Sequence, residues 1–152
     1  MTNSLGLYIH IPFCEKKCNY CDFYSAFYNK DTLSVYLTAL KGEIKKWGGT
    51  IHRPIDTVYI GGGTPTTLSS QQMARLLDTI HQSFDLSRCI EFTVEGGRPD
   101  TLSLEKLQLI RAHGADRMSI NPQTMQDEVL RACGRPHTGA DVLRSYDGAY
   151  EE

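Results

Sequence analysis

No run in the 152 residues approaches the ~18 consecutive apolar positions a membrane-spanning helix needs, so no membrane span is expected. Charge of neither sign dominates. Sixteen Lys and Arg stand against 18 Asp and Glu, a net −2, which gives no electrostatic reason to expect nucleic acid or an anionic membrane as partner. Met1 to Leu5 holds no basic segment leading into an apolar one, so no secretory leader is expected. There is no linker, repeat or low-complexity stretch either, and the length suits a single domain over 1–152. Cysteine is scarce and odd in number, five in all, with three of them between positions 14 and 21. That fits a disulfide framework badly and fits metal or redox chemistry in a reducing cytoplasm better.

What the chain does have is ordinary globular composition, 40% hydrophobic and 22% charged, arranged as short strand-like runs alternating with helical patterns. Strands are expected at Leu5–Ile11, Thr57–Gly61, Ile90–Glu95 and Arg117–Asn121. Between them, Leu33, Leu37, Leu40, Ile44 and Trp47 line one helical face, and Met73, Leu76, Leu77, Ile80 and Phe84 line another. A third helix should run from an N-cap at Ser103 to a C′ glycine at Gly114. A fourth starts at Thr138 and carries Val142, Leu143, Tyr146 and Tyr150.

The strands alternate. Leu7, Ile9 and Ile11 oppose Tyr8 and His10. Ile90, Phe92 and Val94 oppose Cys89, Glu91, Thr93 and Glu95, and Met118 and Ile120 oppose Arg117, Ser119 and Asn121. Parallel strands covered on both faces read as nearly continuous apolar runs. One apolar and one polar face instead predict an α/β fold, a (β/α) barrel or part-barrel whose interior holds a charged ligand at the strand C-terminal ends.

The chemistry is concentrated in Cys14-Glu-Lys-Lys-Cys18-Asn-Tyr-Cys21, directly after the first strand. Thiolates are the usual ligands of iron–sulfur clusters. Three local cysteines leave one iron of a [4Fe–4S] cubane open, and an open iron can chelate the amine and carboxylate of S-adenosylmethionine (SAM). Three thiols can also serve zinc, with His10 or a distant cysteine as fourth ligand, although zinc sites usually come as two spaced pairs. Cys89 and Cys133 are expected to be buried bystander thiols. Gly61-Gly62-Gly63-Thr64-Pro65 closes the second strand and lets backbone polar groups approach a ligand; a tight turn would use the same glycines. It is not a G-x-G-x-x-G fingerprint. Glu95, Gln123 and Arg135 follow at the same rim, Arg135 offering a bidentate fork to a ligand carboxylate.

Tyr8-Ile-His-Ile-Pro-Phe-Cys14 with the rest of the cysteine motif and Asp22-Phe23 resembles the oxygen-independent coproporphyrinogen III oxidase and heme chaperone family of radical SAM proteins. The resemblance continues through Gly61–Pro65, Thr93-Val-Glu95, Ser119-Ile-Asn-Pro-Gln123 and Gly134-Arg135. It implies an incomplete β/α barrel, here about four β/α units, with a [4Fe–4S] cluster on Cys14, Cys18 and Cys21. It also implies SAM contacts from Tyr8, Gly62, Gly63, Thr64, Glu95, Gln123 and Arg135. Partners implied are a porphyrinogen or heme and a strong electron donor such as a flavodoxin or ferredoxin, since ferredoxin-like clusters lie near about −400 mV.

Two features depart from the family pattern. The oxidases carry a further cysteine where this chain has Phe23, so Cys21-Asp22-Phe23 looks like the heme chaperone branch. Glu95-Gly-Gly-Arg-Pro-Asp and Asn121-Pro-Gln123-Thr resemble an oxidase-like branch instead. Family members also continue with further strands and a C-terminal domain, so a truncated frame or a fragment is expected, with an unpaired edge at the fourth strand and little 5′-deoxyadenosine formed. Three functions follow as expectations: oxidative decarboxylation of porphyrinogen propionates through a 5′-deoxyadenosyl radical, heme binding and delivery, or a partial barrel inactive alone.

Overall fold

In the computed structural model, residues 4–151 are described. Residues 1–3, part of the stretch read for a secretory leader, and residue 152 lie outside them. Strand β1 (Gly6–Ile11) leads into a two-residue pair, β2 (Phe13–Cys14) and β3 (Ala26–Phe27), then helix α1 (Lys30–Gly48). Next come β4 (Thr57–Gly62), α2 (Ser70–Ser83), β5 (Glu91–Glu95), α3 (Leu104–Ala112), β6 (Arg117–Ser119), α4 (Asp127–Ala132) and α5 (Gly139–Glu151). The four longer strands form one parallel sheet in the order β1-β4-β5-β6, and β2 pairs with β3 apart from it.

Side-chain alternation sorts the sheet into two faces. Ile9, Ile60, Val94 and Met118 stand in register across the four strands, and the first three are at most 3% exposed. They meet Leu33, Leu37, Leu40 and Ile44 of α1 and Met73, Leu76, Leu77 and Ile80 of α2 in one core. Each such side chain, fully buried, contributes about 1.5–3 kcal/mol. The neighbouring row, Tyr8, Tyr59, Thr93 and Arg117, belongs to the opposite face. There Arg117 reaches the Thr93 hydroxyl at 3.2 Å, and Tyr8 is exposed.

The helix ends follow local chemistry. Asn29 accepts from the amides of Asp31 and Thr32, and Ser69 with Gln72 forms a reciprocal capping box. Ser103 caps α3 by accepting from Lys106 N, and Gly114 follows it at φ +85°. That left-handed turn is open to glycine at no steric cost.

Several expectations need correction. Ile90 precedes β5 and is 79% exposed, so it does not share the core with Phe92 and Val94. Trp47 sits in the last turn of α1 and is half exposed. In α5 only Val142 of the expected stripe is buried; Leu143, Tyr146 and Tyr150 are exposed. The fourth strand ends at Ser119. Beyond it the Asn121 side chain accepts from the Ser119 hydroxyl and its carbonyl accepts from Arg135 instead of continuing the ladder with β5. Cys89 and Cys133 are half-buried, not enclosed. Among the described strands β6 pairs only with β5, so its outer edge is open.

Candidate cofactor site

The C-terminal ends of the strands open on a cleft of about 750 Å³. All ten residues singled out from the sequence line it: Tyr8, Cys14, Cys18, Cys21, Gly62, Gly63, Thr64, Glu95, Gln123 and Arg135. They reach it from β1, β2 and the cysteine loop after it, the end of β4 and the turn that follows, the end of β5, the segment beyond β6 and the turn after α4.

Steric demand, more than turn geometry, explains the glycines. A Cβ on Gly63 would stand 2.9 Å from both Cys14 Sγ and the Phe13 carbonyl oxygen. One on Gly62, whose φ is +124°, would stand 2.8 Å from the Ile11 carbonyl oxygen. Bare Cα atoms let the turn lie directly on the strand that delivers Cys14. Thr64, buried behind them, places its hydroxyl 3.4 Å from Cys14 Sγ.

The cysteine loop is pinned from the far side of the sheet. Asn19 donates its amide to the Cys133 carbonyl at 3.0 Å and its side-chain amide to Ala132 at 2.8 Å, both at the end of α4. Arg135, 5% exposed, donates to Tyr20 Oη at 3.0 Å and to the Gly97 and Asn121 carbonyls at 2.7 and 3.2 Å. Its Nη1 lies 3.9 Å from Cys18 Sγ. The fork expected to face a ligand carboxylate is thus committed largely to protein oxygens, while its cation stands beside a cysteine thiol.

Four residues in and around the cleft were not expected from the sequence to act at the site. Arg98, 4% exposed, grips Asp100 with two nitrogens at 2.7 and 3.2 Å and reaches the Lys16 carbonyl at 3.4 Å, tying β5's exit to the cysteine loop. Lys106 donates to the Thr66 and Thr101 carbonyls, joining the turns that follow β4 and β5. Burial holds its ammonium below the ordinary lysine range. Tyr59 donates to Glu95 Oε1 at 2.5 Å, and the hydrogen bond to that carboxylate, aided by burial, pushes its phenol up to about 12. His137 lies fully buried near Arg135, Arg98 and Asp100; burial first, then the Arg135 charge, pushes it below the usual histidine value. His10 bonds the Tyr8 hydroxyl at 2.7 Å. Gln123 is the one non-glycine residue among those described with positive φ, +64°, a conformation that costs energy and collects at functional sites.

The residues present fit a thiolate-bound cluster. Three thiols border one cleft, a cation and a hydroxyl stand at two of them, and a bare glycine backbone faces Cys14. Among the described residues, no three His, Cys, Asp or Glu side chains stand close enough to share one metal ion. The family profile of the radical SAM superfamily matches residues 8–152. The chain belongs to the radical SAM superfamily. The radical SAM fold is borne out by structure as well. Escherichia coli coproporphyrinogen III oxidase (HemN), described as a radical SAM enzyme, superposes with a TM-score of 0.89 at 30% identity, covering 97% of this chain and 34% of that one. Among curated relatives, the Bacillus subtilis heme chaperone HemW is 43% identical over 149 residues, 95% of this chain and 38% of its own length. The oxygen-independent coproporphyrinogen-III oxidase-like protein HemZ of the same organism is 38% identical over 150 residues, 95% of this chain and 30% of its own length. The chain therefore spans about a third of the relatives it matches, as a partial α/β radical SAM domain. No described helix is long and apolar enough to cross a membrane.

Proposed function

We propose that the cleft binds a [4Fe–4S] cluster through Cys14, Cys18 and Cys21, with SAM beside it, in a protein of heme or porphyrin metabolism. The observation that carries this reading is convergence. Three thiols and seven further residues, spread from position 8 to position 135, border one cleft at the strand ends. A reduced cluster of this kind supplies the electron that cleaves SAM. The chain's own residues do the rest: Gly62 and Gly63 keep the floor open, Thr64 and Arg135 stand at two thiols, and Glu95 presents a carboxylate to the ligand. Tyr8 and Gln123 complete the SAM contacts at the rim, and a flavodoxin- or ferredoxin-like donor delivers the electron in the cytoplasm.

For the whole protein, heme binding and delivery is the favoured role. Its support is the 43% identity to a heme chaperone and Phe23 in place of a further cysteine. Oxidative decarboxylation of a porphyrinogen is the second reading, supported by HemZ and by the Glu95-Gly-Gly-Arg motif. Heme titration of cluster-loaded protein, beside product analysis on coproporphyrinogen III, separates them. Saturable heme binding without decarboxylation is expected; decarboxylation without heme binding would reverse the order.

A further inference from the structure

Gly61 is the one glycine of the turn that neither the turn nor the cysteine loop requires. Its φ is not left-handed, and a Cβ there would meet no backbone closely. What it would meet is the Tyr59 ring, 2.7 Å from Cε1, and the Glu95 carboxylate, 3.0 Å from Oε2. Those two side chains lie over the bare Cα and bond each other there. Tyr59 donates to Oε1 at 2.5 Å while the Gly62 amide donates to Oε2 at 3.2 Å. Each carboxylate oxygen is therefore held by one protein donor, each donor from β4, and Glu95 still lines the cleft. A carboxylate oxygen accepts more than one hydrogen bond, so acceptor capacity remains for a ligand, in an orientation fixed beforehand.

We propose that Tyr59 is a positioning residue, which holds Glu95 across Gly61 so that its carboxylate meets the positive charge of bound SAM. This rests on the reading of the cleft as a SAM site. Pre-organisation of this kind raises affinity by removing the cost of ordering the acceptor at the moment of binding. Only a ligand that carries positive charge should feel it.

The test is Tyr59→Phe in the cluster-loaded chain, with equilibrium dialysis of SAM and of 5′-methylthioadenosine, which keeps the nucleoside and lacks both the amino-acid portion and the sulfonium charge. SAM should bind roughly three- to tenfold more weakly, the scale of one net hydrogen bond, with 5′-methylthioadenosine held within about twofold. Gly61→Ala, which displaces the same pair, should reproduce that selective loss. Equal affinity for SAM in wild type and Tyr59→Phe would overturn the proposal, and so would a parallel loss for both ligands, the mark of a merely structural residue. Wild-type protein that takes up the cluster and binds neither ligand would instead bring down the SAM-site reading, and this inference with it.

Discussion

Gly63→Ala should damage the fold and the cysteine loop together, and the structure sets the scale. The added methyl would stand 2.9 Å from Cys14 Sγ and from the Phe13 carbonyl oxygen, and 3.1 Å from the Phe13 carbonyl carbon. Ordinary contact begins near 3.4 Å, and two of the three atoms are backbone, so β2 itself must move. Overpacking of that kind costs about 1–3 kcal/mol, or roughly 2–12 °C in Tm for a chain of this size. Gly97→Ala is the matched control. It lines the same cleft, and its added methyl would find nothing nearer than the Gly63 carbonyl oxygen at 3.9 Å. Urea unfolding of both variants beside wild type measures the difference. Gly63→Ala should lose that stability and Gly97→Ala should stay within about 0.5 kcal/mol. Equal stability of the two variants would refute the claim that the turn is pressed against the strand carrying Cys14.

Other outcomes follow from the buried charges. Arg98→Ala should cost about 1–3 kcal/mol by leaving Asp100 without its fork and should speed amide exchange across residues 14–21, because the Lys16 carbonyl loses its tie; unchanged loop protection would count against it. His137 is held neutral by burial among Arg135, Arg98 and Asp100, so its folded pKa lies below 6.5. As pH falls below 6.5 the unfolded chain takes up a proton before the folded one does, and stability drops. The difference in unfolding free energy between wild type and His137→Gln should therefore shrink from pH 7 to pH 5, whereas a constant difference would contradict the assignment. Tyr59 works at the other end. Its contribution is full below pH 10 and lost as pH rises through about 12, so the stability gap to Tyr59→Phe should close over that interval; a gap that persists would deny the bond to Glu95.

Sequence and structure agree where the signal is local. Alternation placed Ile9, Ile11, Phe92 and Val94 on one face and Tyr8, His10 and Glu95 on the other, and Ser103 with Gly114 bounded α3 by capping chemistry alone. The cysteine spacing and the glycine run were equally readable as neighbours at one cleft, because residues close in sequence on one loop and close backbone approaches write themselves into short motifs. Periodicity misled where an apolar residue lies beyond the reach of the packed layers, as with Ile90, Trp47 and Tyr150. What the sequence hid was partnership over distance. Tyr59 meets Glu95 36 positions on, Arg98 meets Lys16 across 82, and Asn19 meets Ala132 across 113. No spacing rule links such pairs, and the two-residue β2–β3 pairing is too short to carry a pattern.

We propose above that three thiolates in this cleft hold an iron–sulfur cubane. Anaerobic reconstitution with counting of iron and sulfide tests it most directly, with Cys18→Ala as the paired variant. About four irons and four sulfides per chain are expected, with broad brown absorbance that is lost in Cys18→Ala. Folded wild-type protein that takes up zinc and refuses iron and sulfide would contradict it.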